Sequence, residues 1–354
     1  MGSDTVQWTP ILDQLLAGED LAEESARRVM AEFMAGNAEP AELAGFLVAL
    51  RAKGESAGEV AGFVRAMLEA ATPLEVPPAL ADRLVDTCGT GGDASGTFNI
   101  STVAALVTAA AGVPVAKHGN RAASSRCGSA DLLEAWGVEL ELTGDDVVRC
   151  LEEVGIAFLY ARAFHPAMRF VAPVRQQLGI RTVFNVLGPL SNPAGAPHQV
   201  VGVAERRLGP VVAEALGHLG KRRALVFRGH DGLDELTTSG ESDVWELRDG
   251  AVRSFTLDPR DVGVDLAPAG SLRGGGVTEN RSIADAVLAG AGAAPHTEVV
   301  VLNAGAALFT AGAVDDLAAG VARARDTLAS GAAAGLLQRW VACSRDLAGE
   351  RSGG

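Results

Sequence analysis

The fold of this chain is decided by the stretch from Asp86 to Asp131. It starts with DTCGTGGD at positions 86–93 and continues with FNIST at 98–102. An alanine-rich run and a short apolar segment then lead to KHGNRAASS at 117–125. One predicted helix and one predicted strand therefore separate three polar segments. Because loops that follow parallel strands meet at one edge of an α/β sheet, we expect the three segments to surround one ligand.

The first polar segment predicts an anion site made from backbone amides. We expect a short strand, Arg83-Leu84-Val85, to end at Asp86, and the glycines after it to adopt positive φ and approach a ligand closely. Successive N–H groups in such a loop can surround an anion. An ordinary glycine-rich turn is the alternative. The segment is not a P-loop, since no Gly-Lys-Ser/Thr follows, and it lacks the Gly-x-Gly-x-x-Gly spacing of dinucleotide-binding folds.

The second and third polar segments supply further groups that attract anions. A helix is expected to begin near Asn99–Thr102, and the first turn of a helix offers free N–H donors at the positive end of the helix dipole. Lys117, expected at the end of the following strand, adds a mobile positive charge. Two anion sites and a lysine fit a ligand with phosphate at both ends. An ordinarily capped helix behind a glycine turn is the alternative.

Taken together, these motifs resemble those of the anthranilate phosphoribosyltransferase family. The resemblance rests on GTGGD at 89–93, NIST at 99–102, KHGNR at 117–121 and GSAD at 128–131, in this order. It covers nearly the whole chain. It implies an enzyme of tryptophan biosynthesis that transfers the phosphoribosyl group of phosphoribosyl pyrophosphate to anthranilate, giving N-(5-phosphoribosyl)anthranilate and pyrophosphate.

The resemblance also implies which residues bind each ligand. The residues expected at phosphoribosyl pyrophosphate are Gly89, Thr90, Gly91, Gly92, Asp93, Thr97, Asn99, Ile100, Ser101, Thr102, Lys117, His118, Gly119, Asn120, Arg121, Ala122, Ala123, Ser124, Ser125 and Ser129. Those expected at anthranilate are Gly89, Asn120, His165 and Arg175. Mg²⁺, at two ions per subunit, is expected at Ser101, Asp234 and Glu235.

Arg175 lies in a segment that by itself indicates only a helix and a proline-marked turn. On its own it would most often be a solvated or salt-bridged arginine. In the family, the arginine at this place faces the anthranilate carboxylate, and the fork of a guanidinium suits a planar carboxylate. His165 is placed near the acceptor by the same resemblance, although a lone histidine is as often structural.

Asp234 and Glu235 follow a predicted strand at 223–227. Adjacent carboxylates at a strand end suit Mg²⁺, which takes oxygen ligands and is usually shared with substrate phosphates. In isolation the pair would fit an acidic surface turn better. The resemblance to the metal pair of the family reverses that preference and adds Ser101 as a third contact.

The first part of the chain, from residue 8 to about 72, shows consecutive helical patterns. Asp20 with Glu23, and Ser56 with Glu59, are predicted capping boxes. We divide the chain into a helical domain, 1–76, joined by a helical segment at about 165–190, and an α/β domain, 77–354. The resemblance implies a homodimer through the helical domain.

The second part alternates strand-like and helix-like segments, which predicts an α/β fold with a mainly parallel sheet flanked by helices. The resemblance implies the nucleoside phosphorylase/phosphoribosyltransferase-like arrangement. Ser129 and Thr143 are expected to cap helices, and Asp249-Gly250 is expected to turn a hairpin over 243–257. Residues 260–282 are expected to be a loop and 315–343 a long helical run.

Charge and composition restrict the possible partners. The net charge of −14 over 354 residues opposes binding to nucleic acid or acidic membranes, because such binding depends on clustered cations. No signal peptide or membrane span is evident. The four cysteines form no disulfide or metal spacing, so a cytoplasmic protein is expected, with Cys88 and Cys127 structural.

Two other functions stay open at this point. A pyrimidine nucleoside phosphorylase resembles the same fold, but its glycine and lysine motifs differ and it gives the Arg175 segment no role. A non-catalytic relative that binds nucleic acid would show degraded phosphate motifs and a basic surface.

Overall fold

The computed structural model describes residues 6–122 and 126–352. Its described residues form a seven-stranded sheet in the order β3-β2-β1-β4-β5-β6-β7. The first five strands of this order run parallel, and β6 and β7 are added antiparallel. The strands are β1 Val85–Gly89, β2 Val115–Gly119, β3 Ile156–Tyr160, β4 His198–Gly202, β5 Arg223–Gly229, β6 Ser242–Arg248 and β7 Ala251–Leu257. The predicted mainly parallel sheet is therefore present.

Sixteen α-helices lie in the described ranges. They are α1 Trp8–Leu16, α2 Glu23–Ala35, α3 Pro40–Lys53, α4 Ala57–Glu69, α5 Pro78–Ala81, α6 Ile100–Ala110, α7 Ser129–Trp136, α8 Gly144–Glu153, α9 Ala161–Phe164, α10 Ala172–Leu178, α11 Phe184–Leu190, α12 Leu208–His218, α13 Val277–Leu288, α14 Ala294–Thr310, α15 Leu317–Ala329 and α16 Ala332–Ser352. Short 3-10 helices occupy Pro166–Phe170 and Pro259–Val262.

The hydrophobic core is divided into two clusters. The first cluster joins the sheet to α6, α14, α15 and α16. Glycines let these helices approach closely: a Cβ added at Gly305 of α14 would lie 2.6 Å from the backbone nitrogen of Val321 in α15.

The second cluster, which we call the shared core, joins the N-terminal helices to α11, α12 and strands β4 to β6. Phe33, Phe46 and Phe63 form its centre on the helical side, with edge-to-face ring contacts at 5.3 and 5.9 Å between centroids. Segment 165–190 also packs on α2, α3 and α4. The division at residue 76 stays a prediction, and apolar packing is continuous across it.

Two predicted helix starts have different outcomes. Ser56 and Glu59 form the predicted capping box at α4, with both reciprocal hydrogen bonds present. The box predicted for Asp20 and Glu23 is wrong, because α2 begins at Glu23 without a side-chain cap. Asp20 instead forms an ion pair with Lys53, with 2.5 Å between Oδ1 and Nζ.

Four further boundaries differ from the sequence prediction. Strand β1 begins at Val85 and runs to Gly89, so Asp86 lies inside it and not at its end. Gly128 and Asp131 cap α7, and Ser129 is its first residue. The segment 260–282 contains the start of α13, and Gly331, with φ +73°, separates α15 from α16. The Asp249-Gly250 hairpin and the Thr143 cap are confirmed.

The cysteines form no disulfide. The sequence spacing suggests no pair, yet α8 and α16 bring the sulfur atoms of Cys150 and Cys343 within 3.7 Å. Burial raises the pKa of the Cys150 thiol and that of the Cys343 thiol, so the two groups are protonated thiols in contact. No helix in the described ranges has the length and apolar character required to cross a bilayer.

Candidate active site

The glycine-rich loop after β1 has the predicted backbone geometry. Gly91 and Gly92 adopt φ of +62° and +79°, which a residue with a Cβ rarely does. A Cβ added at Gly89 would lie 2.5 Å from Oδ2 of Asp234. The same carboxylate oxygen accepts a hydrogen bond from the Gly91 amide at 2.7 Å. The loop and the proposed metal ligand are therefore one unit.

The start of α6 lies against the same acidic pair. Glu235 Oε1 accepts a hydrogen bond from the backbone N–H of Ser101 at 3.1 Å. Asn99 precedes the helix, and its side-chain amide makes two hydrogen bonds. Its Nδ2 donates to the Cys127 carbonyl at 3.1 Å, and its Oδ1 accepts from Nδ2 of Asn280 at 3.0 Å. The predicted anion site at this helix start is thus occupied by a carboxylate of the protein itself, which gives Ser101 and Glu235 a common orientation.

Lys117 is not the mobile charge that the sequence suggested. It lies in the middle of β2 and is 2 % exposed. Its ammonium donates to the carbonyl of Thr87 at 2.5 Å and to Oγ of Ser101 at 3.3 Å. Burial lowers the pKa of Lys117, while the buried Asp86 opposes that shift. Lys117 therefore fixes the hydroxyl of Ser101 from beneath the site.

Asp234 and Glu235 form a half-buried acidic pair. Burial, followed by repulsion from Asp93, raises the pKa of Asp234 to about 7. Burial and the neighbouring Asp234 raise the pKa of Glu235 well above its ordinary value. Neither carboxylate has a salt-bridge partner within the described ranges. Two neighbouring carboxylates that share no cationic partner suit a divalent cation, so the donor set fits Mg²⁺.

Within residues 6–122 and 126–352, no three His, Cys, Asp or Glu side chains converge as a metal-binding group. An ion at Asp234 and Glu235 would therefore take further oxygen ligands from the Ser101 hydroxyl, water or a phosphate. This incomplete coordination is usual for Mg²⁺ sites that share the ion with a phosphorylated substrate.

Beside Gly89 lies a pocket of about 820 Å³, which we call the acceptor pocket. Segment 161–189 forms one wall, and the ends of β1 and β2 form the other. The lining residues are Met67, Cys88, Gly89, His118, Gly119, Asn120, Ala161, Arg162, His165, Pro166, Met168, Arg169, Ala172, Arg175, Phe184, Gly188 and Pro189.

Arg175 faces this pocket from α10. Its guanidinium carbon lies 5.1 Å from the centroid of the Phe184 ring. Burial lowers the pKa of Arg175, and no carboxylate in the described part of the chain forms an ion pair with it. A desolvated guanidinium without an acidic partner fits an anionic ligand.

Two histidines line the pocket with their rings 5.2 Å apart. His118 Nδ1 lies 3.1 Å from the Gly188 carbonyl, and a carbonyl only accepts, so Nδ1 carries the proton. Burial lowers the pKa of His118 to about 3, and its Nε2 is buried with no hydrogen-bond partner among the described residues. His165 is held through Nε2 by the Ser191 carbonyl at 2.9 Å. Both rings are neutral at pH 7.

The remaining predicted residues surround these groups. Gly119 and Asn120 line the acceptor pocket. Arg121 forms ion pairs with Asp131 and Glu134, so it anchors its loop to α7. Ala123, Ser124 and Ser125 lie outside the described residues.

Other predicted residues have mainly scaffold contacts. Thr90 Oγ1 accepts from the Ala204 amide at 3.1 Å, and Ile100 and Thr102 are buried in α6. The amide of Ala122 donates to Asp131, and Thr97 bridges to Arg273. Ser129 donates to the Asn120 carbonyl at 3.3 Å.

Sequence reasoning missed three residues that the structure brings to the site. Asp86 is fully buried beside Lys117, and Asn280 holds Asn99. Arg181 contacts the glycine-rich loop from the segment that carries Arg175. In the sequence, the position of Arg181 six residues after Arg175 could have indicated that it lies near the site. Nothing in the sequence indicates a contact of Asn280 with the site.

The fold and the site together define the class of protein. Residues 81–334 match the α/β domain of the glycosyl transferase family, and residues 9–71 match the helical bundle domain of the same family. The chain is an enzyme of this glycosyltransferase class.

Comparison with individual relatives identifies the family within this class. The chain is 52 % identical to anthranilate phosphoribosyltransferase of Moorella thermoacetica over 94 % of this chain and 96 % of the relative. It is 49 % identical to the Streptomyces griseus enzyme of the same name, over 97 % and 98 %. The Thermus thermophilus crystal structure superimposes with a TM-score of 0.89 at 51 % identity, covering 95 % of this chain and 99 % of that one. This chain belongs to the anthranilate phosphoribosyltransferase family, which confirms the predicted fold class, enzyme class and reaction.

A relative with lower sequence identity has been solved with ligands bound. The Saccharomyces cerevisiae enzyme, in complex with phosphoribosyl pyrophosphate and Mg, has a TM-score of 0.87 at 26 % identity, covering 96 % of this chain and 98 % of that one. Another structure of that enzyme contains 4-fluoroanthranilate.

Proposed function

We propose that this chain places phosphoribosyl pyrophosphate and anthranilate on opposite sides of Gly89. The observation that carries the proposal is the position of this residue. Gly89 lines the acceptor pocket, and a side chain there would meet Asp234. A half-buried acidic pair thus lies next to a pocket with a desolvated guanidinium, and Gly89 places no side chain between them. Phosphoribosyl pyrophosphate with Mg²⁺ suits the first side, and an aromatic carboxylate suits the second.

On the donor side, Asp234, Glu235 and Ser101 would hold Mg²⁺. Bound there, the metal supplies positive charge that offsets the charge developing on departing pyrophosphate. Lys117 holds the Ser101 hydroxyl, and the Gly91 amide holds Asp234, so the chain presents these oxygens without reorganising. The complex of the yeast relative with phosphoribosyl pyrophosphate and Mg supports the assignment. Two ions per subunit remain our proposal.

The phosphoribosyl unit would lie against the start of α6 and the loop after β2. Segments 99–102 and 117–122 meet there, as their place after adjacent parallel strands requires.

On the acceptor side, Arg175 would bind the carboxylate of anthranilate and Phe184 would border its ring. Nε2 of His118 has no hydrogen-bond partner among the described residues, and His118 lines the acceptor pocket. This nitrogen would accept a hydrogen bond from the aniline N–H of anthranilate. A neutral imidazole with a pKa of about 3 orients this amine and is too weak a base to deprotonate it beforehand. Positioning of the nitrogen against the anomeric carbon therefore carries the step, with pyrophosphate as the leaving group.

We also propose a homodimer through the helical domain. Leu16 at the end of α1 is 73 % exposed, and Val48 on the neighbouring α3 is 45 % exposed. Apolar side chains of this size on adjacent helices favour a partner surface. A cytoplasmic location is part of the same proposal.

The test is the loss of anthranilate fluorescence when phosphoribosyl pyrophosphate is added, with and without Mg²⁺. We expect a decay that requires both substrates and is abolished by a chelator and restored by Mg²⁺. Folded protein that leaves the fluorescence unchanged would contradict the proposal, and incubation with nucleosides and phosphate would then test for phosphorolysis.

A further inference from the structure

Arg181 lies between α10 and α11 and reaches across to the glycine-rich loop. Its Nη2 donates to the Thr90 carbonyl at 3.3 Å. A Cβ added at Gly92 would collide with Nη1 and Cζ of Arg181. The Nη1 end of the guanidinium therefore lies directly against Gly92, and only glycine at this position leaves room for it.

The contacts of Arg181 leave its charge without a partner. Within residues 6–122 and 126–352, no carboxylate lies within salt-bridge distance of it, although other arginines of this acidic protein do form ion pairs. Arg206 pairs with Asp243 at 2.7 Å, and Arg207 with Glu55 at 2.8 Å. A guanidinium has five N–H donors, and one long hydrogen bond to a carbonyl uses a single one.

The loop beneath Arg181 needs positive charge when it binds an anion. Asp93 and Asp234 lie there, and the Gly91 amide is already bonded to Asp234. Backbone amides alone would hold a polyanion weakly beside these carboxylates, because like charges at short distance repel strongly in a partly buried site. Arg181 is the nearby cation whose donors are free to contribute.

We propose that Arg181 binds the pyrophosphate group, both within phosphoribosyl pyrophosphate and after it has left. This inference rests on the proposed function and extends it to a residue outside the predicted site. Segment 172–183 then contacts both substrates, since Arg175 faces the acceptor and Arg181 faces the leaving group. The fork of Arg181 stabilises the charge that accumulates on pyrophosphate as the bond to the anomeric carbon breaks.

The experiment compares Arg181→Gln and Arg181→Lys with the wild type. Glutamine keeps a donor for the Thr90 carbonyl and removes the charge, whereas lysine keeps the charge and removes the fork. For Arg181→Gln we expect both the KM for phosphoribosyl pyrophosphate and the inhibition constant of pyrophosphate to rise about 10- to 100-fold, the usual loss for a charged hydrogen bond. Arg181→Lys should recover part of both, and the KM for anthranilate should stay within about twofold.

Arg222→Gln is the matched control. Arg222 is exposed and pairs with Asp82 at 2.6 Å, so its loss should leave all three constants unchanged. If Arg181 only stabilised the fold, Arg181→Gln would lower Tm and would raise the KM values for both substrates equally. That pattern, or unchanged constants for phosphoribosyl pyrophosphate and pyrophosphate, would overturn the proposal.

Calorimetric titration of wild type and Arg181→Gln with Mg²⁺-pyrophosphate requires no turnover. Weaker binding to the variant supports the role of Arg181 even if the wild type fails to consume anthranilate, in which case the proposed function alone is contradicted. Equal binding to both proteins overturns the role of Arg181 even if the wild type is active.

Discussion

The two sides of Gly89 carry partly buried charges of opposite sign, and neither charge has an ion-pair partner among the described residues. On the donor side burial raises the pKa values of Asp234 and Glu235, whereas on the acceptor side burial lowers the pKa of Arg175. Each shift disfavours the charged form. The same physical cause thus supports both proposed ligands, a cation for the acids and a carboxylate for the arginine. A buried charge without a partner is the feature that distinguishes a binding site from a structural ion pair here.

The largest expected effect comes from neutralising the acidic side. We expect Asp234→Asn with Glu235→Gln to lower Mg²⁺-dependent kcat by at least about 1000-fold, because the leaving group loses its electrostatic stabilisation. The measurement is initial velocity over a range of Mg²⁺ concentrations.

Circular dichroism serves as the control, since the double variant is isosteric and should stay folded. Glu241 is an exposed carboxylate seven residues beyond Asp234, and Glu241→Gln is a comparison variant expected to keep the Mg²⁺ dependence of the wild type. Wild-type rates from the double variant would remove the metal assignment.

The next effect separates the acceptor side from the donor side. Arg175→Ala should raise the KM for anthranilate about 100-fold, the loss expected for a bidentate carboxylate contact, and should change the KM for phosphoribosyl pyrophosphate little. Steady-state kinetics with each substrate varied in turn gives the two constants. Equal losses for both substrates would show that Arg175 is structural.

The pH dependence distinguishes the two sides further. The folded pKa of Asp234, about 7, lies above its unfolded value, so folded protein without metal binds the proton more tightly and loses stability as pH rises from about 4 to about 7. Binding of Mg²⁺ would displace this proton and compete with the one on Glu235, so the affinity should fall at least about tenfold for each pH unit below 7.

Mg²⁺ titration between about pH 5.5 and about pH 8 measures this dependence. The acceptor side supplies the internal comparison, because His118 stays neutral across this range and the KM for anthranilate should not follow the Mg²⁺ curve. A Mg²⁺ affinity independent of pH would place the ion elsewhere.

The smallest effect is on stability. An unpaired charge in a binding site lowers the stability of the protein when the ligand is absent. Removing that charge should therefore stabilise the free protein. We expect Arg175→Met and Asp234→Asn each to raise Tm by about 2 °C in metal-free buffer. Differential scanning calorimetry measures the change. A fall in Tm for either variant would mean that the charge is compensated within the chain.

The sequence predicted these two sides with unequal success. The GTGGD and NIST motifs located the donor side because their glycines and helix start are local features, and positive φ at Gly91 and Gly92 confirmed the loop. The depth of Lys117 was beyond local reasoning, because its burial depends on β1 and α6 packing over β2. The same limit applies to Arg181 and Asn280, whose contacts are with residues about 90 and 180 positions away.

Some predicted helix boundaries were wrong for a related reason. The α13 segment begins with glycines and was predicted as loop, yet Asn280 holds the backbone of Gly275 and is itself buried. The sequence Asp20 to Glu23 fits a capping box, but Asp20 forms an ion pair with Lys53 instead. In both cases a contact distant in sequence outweighed the local pattern.

The shared core has a consequence for how this protein can be divided. Residues 9–71 form a recognisable helical unit, but Phe33, Phe46 and Phe63 belong to the same apolar cluster as α12 and strands β4 to β6. A fragment that starts near residue 77 would expose the apolar surfaces of α11 and α12 that α4 covers, and an exposed apolar surface promotes aggregation. Engineered fusions and truncations should therefore keep the N-terminal helices with the sheet as a single folding module.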